Sequence, residues 1–398
     1  MRTAGVICEC NPMHGGHRYL IDQAKRAGAD AVICVMSGCF TQRGEAAMLD
    51  PQTRARILLD GGANAVFELP FPFSAAGAEF FATAGVSLLS KLCVDELWFG
   101  SECGNLALLA RAAEIASDEK FSELYRARCS NGSIGTASAF FECLAELGVE
   151  EKLSPNDILG VSYLRAIKNQ GSRMTARTVK RQGSGFHEGE LRSGEFPSAS
   201  ALRSLLIREG IGAWKPYLSE AAIGLAETQI WEKRAPAELS NAQTAILSAF
   251  RVAEREALEL VPELSGGLGR RIAEAALYAT SLDELIERSA TKKYPASRIR
   301  RGILFAMTGV REEDLRQEPA YAVLLAADRT GCAFLAESRK PAEVPTVTSH
   351  AGIPHTDAAR RQEELTARAF ALYTLCTPNP LPADTFLRCS SWIEPSGK

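Results

Sequence analysis

Apolar residues occur in short runs with few interruptions, and between the runs they recur every three or four positions. The runs are Gly5 to Cys8, Ala31 to Met36, Ala65 to Leu69 and Val94 to Phe99. Apolar side chains on both alternating faces predict strands covered on both sides. The periodic stretches predict helices from about Arg18 to Ala27, from Pro51 to Asp60 and from Ala75 to Leu89. Strands alternating with helices imply a parallel, doubly wound α/β sheet, with its ligand at the carboxyl ends of the strands.

Residues 105–150 read as helices. Ser154-Pro155 then supplies an N-cap and a first-turn proline for a helix over Ile158 to Lys168. Met174 to Arg181 alternates like a strand with basic groups on one face. A glycine-rich loop from Gln182 to Gly189 follows and carries His187. A further helix opens at Phe196 to Arg203, with Ser198 and Ser200 at its mouth and Arg203 one turn in. From about residue 218 the periodicity is helical over Ala221 to Leu260 and Gly269 to Arg288. A strand at Tyr321 to Ala326 and a helix near Gln362 to Leu375 follow. The pattern divides the chain into an α/β domain over 1–215 and a mainly helical domain over 216–398.

Composition narrows the class. A chain of 398 residues with net charge -3 reads as a soluble globular protein, and no apolar run reaches membrane-spanning length. Met1-Arg2-Thr3 runs straight into the first strand, which predicts no leader peptide and a cytoplasmic protein. The eleven cysteines are scattered and odd in number, and Cys34 and Cys93 sit in apolar runs, as small core residues do. Residues 1–150 carry 12 basic and 18 acidic side chains, whereas 288–301 carry six basic and none acidic. That contrast predicts a polyanionic partner for the second half, bound through Lys292, Lys293, Arg298, Arg300 and Arg301. Tyr294 adds a ring that can stack on a base. Solvated helix faces produce the same counts.

The chemistry gathers at Cys10-Asn11-Pro12-Met13-His14-Gly15-Gly16-His17. A strand, a proline turn, two glycines and a helix start present backbone N–H groups and a helix dipole to an anion. Two histidines three apart share the first turn. His14, His17, Ser37, Arg43 and Gly100 all follow strand ends, and Glu68 and Glu102 lie where they can hold Mg²⁺ or orient a partner. Cys8 and Cys10 with His14 and His17 lack the spacing of a common structural zinc site. No Gly-x-x-x-x-Gly-Lys-Ser/Thr motif occurs, which excludes a P-loop.

The His-x-Gly-His pattern resembles the signature of the nucleotidyltransferase superfamily. More of the chain resembles one branch of it, the bacterial tRNA(Met) cytidine acetate ligases. The resemblance runs through Gly5 to His17, Val35 to Gly38, Gln42 to Glu45, Glu68-Leu69-Pro70 and Phe99 to Glu102. It continues through Ser154-Pro155-Asn156, Ile158-Leu159-Gly160, Lys180-Arg181, Ser198 to Arg203 and Lys292 to Arg301. It implies a Rossmann-like nucleotidyltransferase domain, ATP as substrate with Mg²⁺ as its companion, acetate, and elongator tRNA(Met). Acetyl-adenylate forms with release of pyrophosphate, and the acetyl group passes to N4 of the wobble cytidine.

The resemblance also implies catalytic roles for His14 and His17 and ATP contacts from the first loop, namely Ile7, Cys8, Glu9, Cys10, Asn11, Pro12, Met13, His14, Gly15, Gly16, His17, Arg18, Tyr19 and Leu20. Gly100, Asn156 and Arg181 complete those contacts, while Ser37, Arg43, Ser198, Ser200 and Arg203 stand as candidates for phosphate or substrate. Cys10 and Met13 replace aromatic residues usual in the family, Cys39 stands where it often has Asn or His, and Asp157 replaces a common Asn, adding a negative charge beside the expected ATP. The competing readings are an adenylyltransferase acting on a small phosphorylated metabolite and a non-catalytic RNA-binding protein.

Overall fold

The computed structural model describes residues 1–130, 135–182, 196–386 and 390–395. Its first half is a β/α alternation: β1 (Thr3–Cys8), α1 (Gly15–Arg26), β2 (Ala31–Ser37), α2 (Pro51–Asp60), β3 (Ala65–Leu69), α3 (Ala78–Lys91) and β4 (Glu96–Ser101). Three helices, α4 (Leu106–Ala116), α5 (Glu119–Ser130) and α6 (Thr136–Glu146), lead to α7 (Pro155–Asn169), β5 (Thr175–Lys180) and α8 (Ala199–Glu209). The strands stand in the order β5-β4-β1-β2-β3, all parallel. Their carboxyl ends therefore lie along one edge.

The sheet buries both faces, as its runs require. Ile7, Val35, Phe67 and Phe99 pack with Phe81 and Leu88 of α3, Leu109 of α4 and Val161 of α7. Val6, Cys8, Cys34 and Met36 pack the other way, with Ile21 of α1 and Leu58 of α2.

The second half runs through α9 (Glu220–Trp231), α10 (Gln243–Val252), α11 (Arg255–Glu259), α12 (Leu268–Ala276), α13 (Leu282–Ser289), α14 (Ala296–Thr308) and α15 (Glu312–Arg316). The expected helix over 221–260 is thus three helices, broken ahead of Pro236 and at Ala253. The last elements are β6 (Ala322–Ala327), α16 (Arg329–Ser338), β7 (Thr346–Val347), α17 (Asp357–Tyr373) and β8 (Trp392–Ile393). The strand read at Tyr321 to Ala326 joins the main sheet: β6 pairs antiparallel with β3, and β7 and β8 pair parallel with β6. One sheet therefore draws strands from both halves of the chain.

The halves also meet around the β2–α2 loop. Phe40 lies edge-on to Phe71 and to Tyr373, with ring centroids 6.3 and 6.0 Å apart, inside a helical core that includes Ile303 and Phe305. The Tyr373 hydroxyl donates to the Ala47 carbonyl at 2.7 Å. Cys34 is a buried core residue, but Cys93 is exposed, in the turn after α3 at φ 63°. The apolar run around Cys93 is interrupted by a helix end, so its thiol points outward.

Candidate active site

His14 is the N-cap of α1. Its Nδ1 accepts from the Gly16 N–H at 3.0 Å, while the His17 Nδ1 accepts from the His14 N–H at 3.3 Å. This is a capping box built from imidazoles instead of hydroxyl and carboxylate. Both Nδ1 atoms accept, so both neutral rings carry their proton on Nε2, which leaves two N–H donors for a ligand. The rings sit 4.1 Å apart between centroids. Burial, with Arg181 close by, pulls His17 down to about 4; burial, His17 and Arg181 hold His14 well below its usual value. Both imidazoles are therefore neutral at pH 7 in the free protein, and anionic phosphate is what would charge them.

Three residues from distant parts of the sequence join them. The Arg181 side chain lies across Gly100, where a Cβ would sit 3.1 Å from Cγ of Arg181. Its Nε is 3.6 Å from Glu102 Oε1. Asn156 Nδ2 donates to the same oxygen at 2.5 Å, and the Ser154 hydroxyl donates to the other oxygen of Glu102. Glu102 thus ties the end of β4 to the start of α7, and both its oxygens are engaged. Asp157 belongs to the cap of α7. Its carboxylate accepts from Ser154 N at 2.9 Å and from Cys103 N at 3.2 Å. Burial raises its pKa, but these bonds outweigh burial and hold it below the usual range.

Beneath the first loop the side chains are mostly structural. Ile7, Cys8, Cys10, Asn11, Pro12 and Met13 are buried. Asn11 Oδ1 accepts from Met48 N at 2.9 Å, and the Met13 methyl lies against Gly61. Glu9 Oε1 accepts from Gln42 N at 2.8 Å. Cys10 and Met13 therefore fill core space under the loop, and only their backbone is available to a ligand. Past the histidines, Arg18 is exposed and the Tyr19 hydroxyl accepts from Gln182 at 3.2 Å. Leu20 packs against the core of the α1 side.

Ser37 is fully buried and its hydroxyl has no hydrogen-bond partner among the described residues, so it lies under the site and not on its surface. Arg43 is exposed and close enough to influence Glu9. Ser198 is the N-cap of α8, accepting from Ala201 N at 3.2 Å, and Ser200 accepts from Arg203 at 3.2 Å. Arg203 in turn donates to the Asn11 carbonyl at 2.9 Å and pairs with Glu45 at 3.2 Å. His187 lies outside the described residues.

The basic segment Lys292–Arg301 reaches the same loops. Arg300 is 4.0 Å from Glu45, and Arg301 donates to the Gln42 carbonyl at 3.4 Å. Arg298 and Arg301 are not a free basic face: both converge on Glu263, Arg301 through two bonds of 3.0 Å. Tyr294 is not a free stacking ring either. It is buried, its hydroxyl bonds to the Gly266 carbonyl, and Lys293 and Arg298 lie over its faces. Lys292 is exposed.

A family model described as HIGH Nucleotidyl Transferase matches residues 1–385. The tRNA(Met) cytidine acetate ligase of Syntrophotalea carbinolica is 32% identical over 402 residues, covering 95% of this chain and 95% of that protein. The chain belongs to the tRNA(Met) cytidine acetate ligase family. A second member, from Thermosipho africanus, is 33% identical and covers 88% of this chain and 85% of its own length. The crystal structure of Thermotoga maritima TmcAL bound with alpha-thio ATP superposes with a TM-score of 0.88 at 28% identity, covering 99% of this chain and all of that one.

Sequence reasoning alone missed one support of this site. Arg54, in α2, is almost fully buried and holds the loop ends together through backbone carbonyls. No local pattern marks it, because it acts on residues distant in sequence. Glu102, read from the sequence as an acid that could hold Mg²⁺ or orient a partner, lies against Asn156 and Arg181.

Proposed function

We propose that this chain activates acetate with ATP and acetylates N4 of the wobble cytidine of elongator tRNA(Met). It is an ATP-dependent ligase acting on RNA. The observation that carries this reading is a chain of contacts joining the nucleotide loop to the basic helix: Arg203 to the Asn11 carbonyl, Arg203 to Glu45, and Glu45 to Arg300. Enzymes that adenylylate a small metabolite have no need of such a basic segment beside the site.

In this reading the triphosphate lies over the N-terminus of α1, where the dipole and the two Nε2–H groups meet it. Arg181 and Asn156 orient it from the β4 side. An acetate oxygen attacks the α-phosphorus and pyrophosphate leaves, with His14 and His17 stabilising charge on the phosphates. The cytidine N4 then attacks the acetyl carbon, AMP departs, and N4 loses a proton. Lys292, Lys293 and Arg300 contact the tRNA backbone, while Arg298 and Arg301 hold α14 in place, so that residues 216–398 carry most of the RNA surface. No group of three or more His, Cys, Asp or Glu able to hold a metal occurs among the described residues. In this reading Mg²⁺ accompanies the ATP phosphates. No helix is long and apolar enough to cross a membrane among the described residues, and a tRNA substrate puts the enzyme in the cytoplasm.

The test is ATP–pyrophosphate exchange with purified protein and Mg²⁺, followed by transfer of labelled acetate to an elongator tRNA(Met) transcript. Exchange that requires acetate, is lost in His17→Ala and is followed by labelling of the transcript is expected. Exchange without any transfer to tRNA, and with a phosphorylated metabolite as the better acceptor, would replace this reading with the adenylyltransferase one.

A further inference from the structure

A cavity lies away from the histidines, between β3, β6 and α17, with the segment Val347–Ile353 along one side. Its volume is about 80 Å³. One water needs on the order of 10–15 Å³ on this measure, so the space suits a molecule of roughly five to eight non-hydrogen atoms. The walls are largely apolar, with Val323, Leu325 and Phe370 among them. Among the described residues that line it, the charged ones are Glu68 and Glu363.

Glu68 is only 4% exposed, yet no hydrogen bond to its carboxylate occurs among the described residues. The nearby Arg54 is already engaged by the carbonyls of Glu9, Leu49 and Gly38. Burial, only partly offset by Arg54, pushes Glu68 up to about 7. A buried carboxylate left in this state is costly unless something pairs with it. The Thr366 hydroxyl in the same wall is also buried without a partner among the described residues. Tyr321 is buried between the two acids, and both raise its pKa after burial itself. Glu363 also lines a surface depression with Arg360 and Arg361, which marks it as the mouth of the cavity.

We propose that this cavity is a binding site for a small organic cation, a primary alkylammonium, whose charged head pairs with Glu68 and whose carbon chain lies on Val323, Leu325 and Phe370. Apolar walls with one or two placed polar groups are the ordinary construction of a small-ligand site. Glu68 lies against Gly38 and beside Arg54, which carry the exits of β2 and β1, so the occupant sits directly behind the nucleotide loop.

The experiment is calorimetric titration of the full chain with 1,4-diaminobutane, against 1,4-butanediol and KCl at matched ionic strength. Saturable binding of the diamine, with at least tenfold weaker binding of the diol and none of K⁺, is expected. Glu68→Gln, and Val323→Phe to fill the space, should each weaken the diamine at least tenfold. A wild-type crystal soaked with the diamine should show it against Glu68, which locates the site even where a variant fails to fold. No heat with the diamine, equal binding of the diol, or density elsewhere on the protein would overturn the proposal.

Discussion

The guanidinium of Arg54 lies 2.8 Å from the backbone carbonyl of Glu9, across 45 residues of sequence. The same group reaches the carbonyls of Leu49, at 3.0 Å, and Gly38. One buried side chain therefore fixes the exits of β1 and β2 and the approach to α2, and the histidine loop stands on that support. Arg54→Met leaves three carbonyls without their donor. It should cost about 3–5 kcal/mol, as removal of one partner from a buried charged network does. Urea denaturation followed by circular dichroism measures this, and Arg54→Lys should fall between.

His17 has a folded pKa of about 4 against an ordinary 6.5. The unfolded chain therefore binds the proton first as the pH falls. Stability is full above about 6.5 and is lost progressively down to about 4, by no more than about 3 kcal/mol because the ring is partly exposed. His14 shifts in the same direction and adds to the loss. Phosphate at the rings reverses the shift, so ATP binding at pH 5.5 should take up protons. Calorimetry in buffers of different ionisation enthalpy measures the uptake; none would separate the imidazoles from the phosphates.

Arg181 lowers both histidines and lies over Gly100. Arg181→Met should raise both imidazole pKa values toward normal while weakening ATP by roughly 10–100-fold, the range of a charge-assisted hydrogen bond. Proton NMR titration of the rings and binding of a fluorescent ATP analogue report the two effects separately. A loss of affinity with unmoved imidazoles would place Arg181 away from them.

Gly44 has φ 71°, and a Cβ there would come 2.6 Å from Cβ of Arg300 and 2.7 Å from the backbone nitrogen of Arg301. Gly44→Ala is strained both by its own conformation and by contact with backbone, at a cost of about 1–3 kcal/mol. Because the contact joins the β2–α2 loop to α14, acetyl transfer to tRNA should fall more than ATP–pyrophosphate exchange. Equal loss of both would mean the loop serves ATP alone.

Lys292 and Arg301 separate two roles within one basic segment. Lys292→Glu should weaken tRNA binding and reduce the salt slope of log K by about 1, as loss of one phosphate contact does. Arg301→Met should instead lower the denaturation midpoint, since it releases Glu263 from its paired bonds. Filter binding across a salt series, beside thermal melts, tells them apart.

The sequence by itself determined the five parallel strands, the helix starts at Ser154 and Ser198, and the histidine turn with its anion-binding geometry. These are set by neighbours a few residues apart: burial on both faces fixes a strand, and a side-chain oxygen or ring nitrogen fixes a cap. The strand at Tyr321 to Ala326 was legible as a strand, but its place beside β3 was not, because register depends on a partner more than 250 residues away. Tertiary structure alone decided which charges are available. Arg298, Arg301 and Asp157 look free in the sequence and are engaged by Glu263, Ser154 and Cys103, whereas Glu68 looks like a strand-end acid and lies buried without a hydrogen bond among the described residues. A charge's worth depends on the dielectric and the partners within about 4 Å of it, and those are supplied by segments that meet only when the chain has folded.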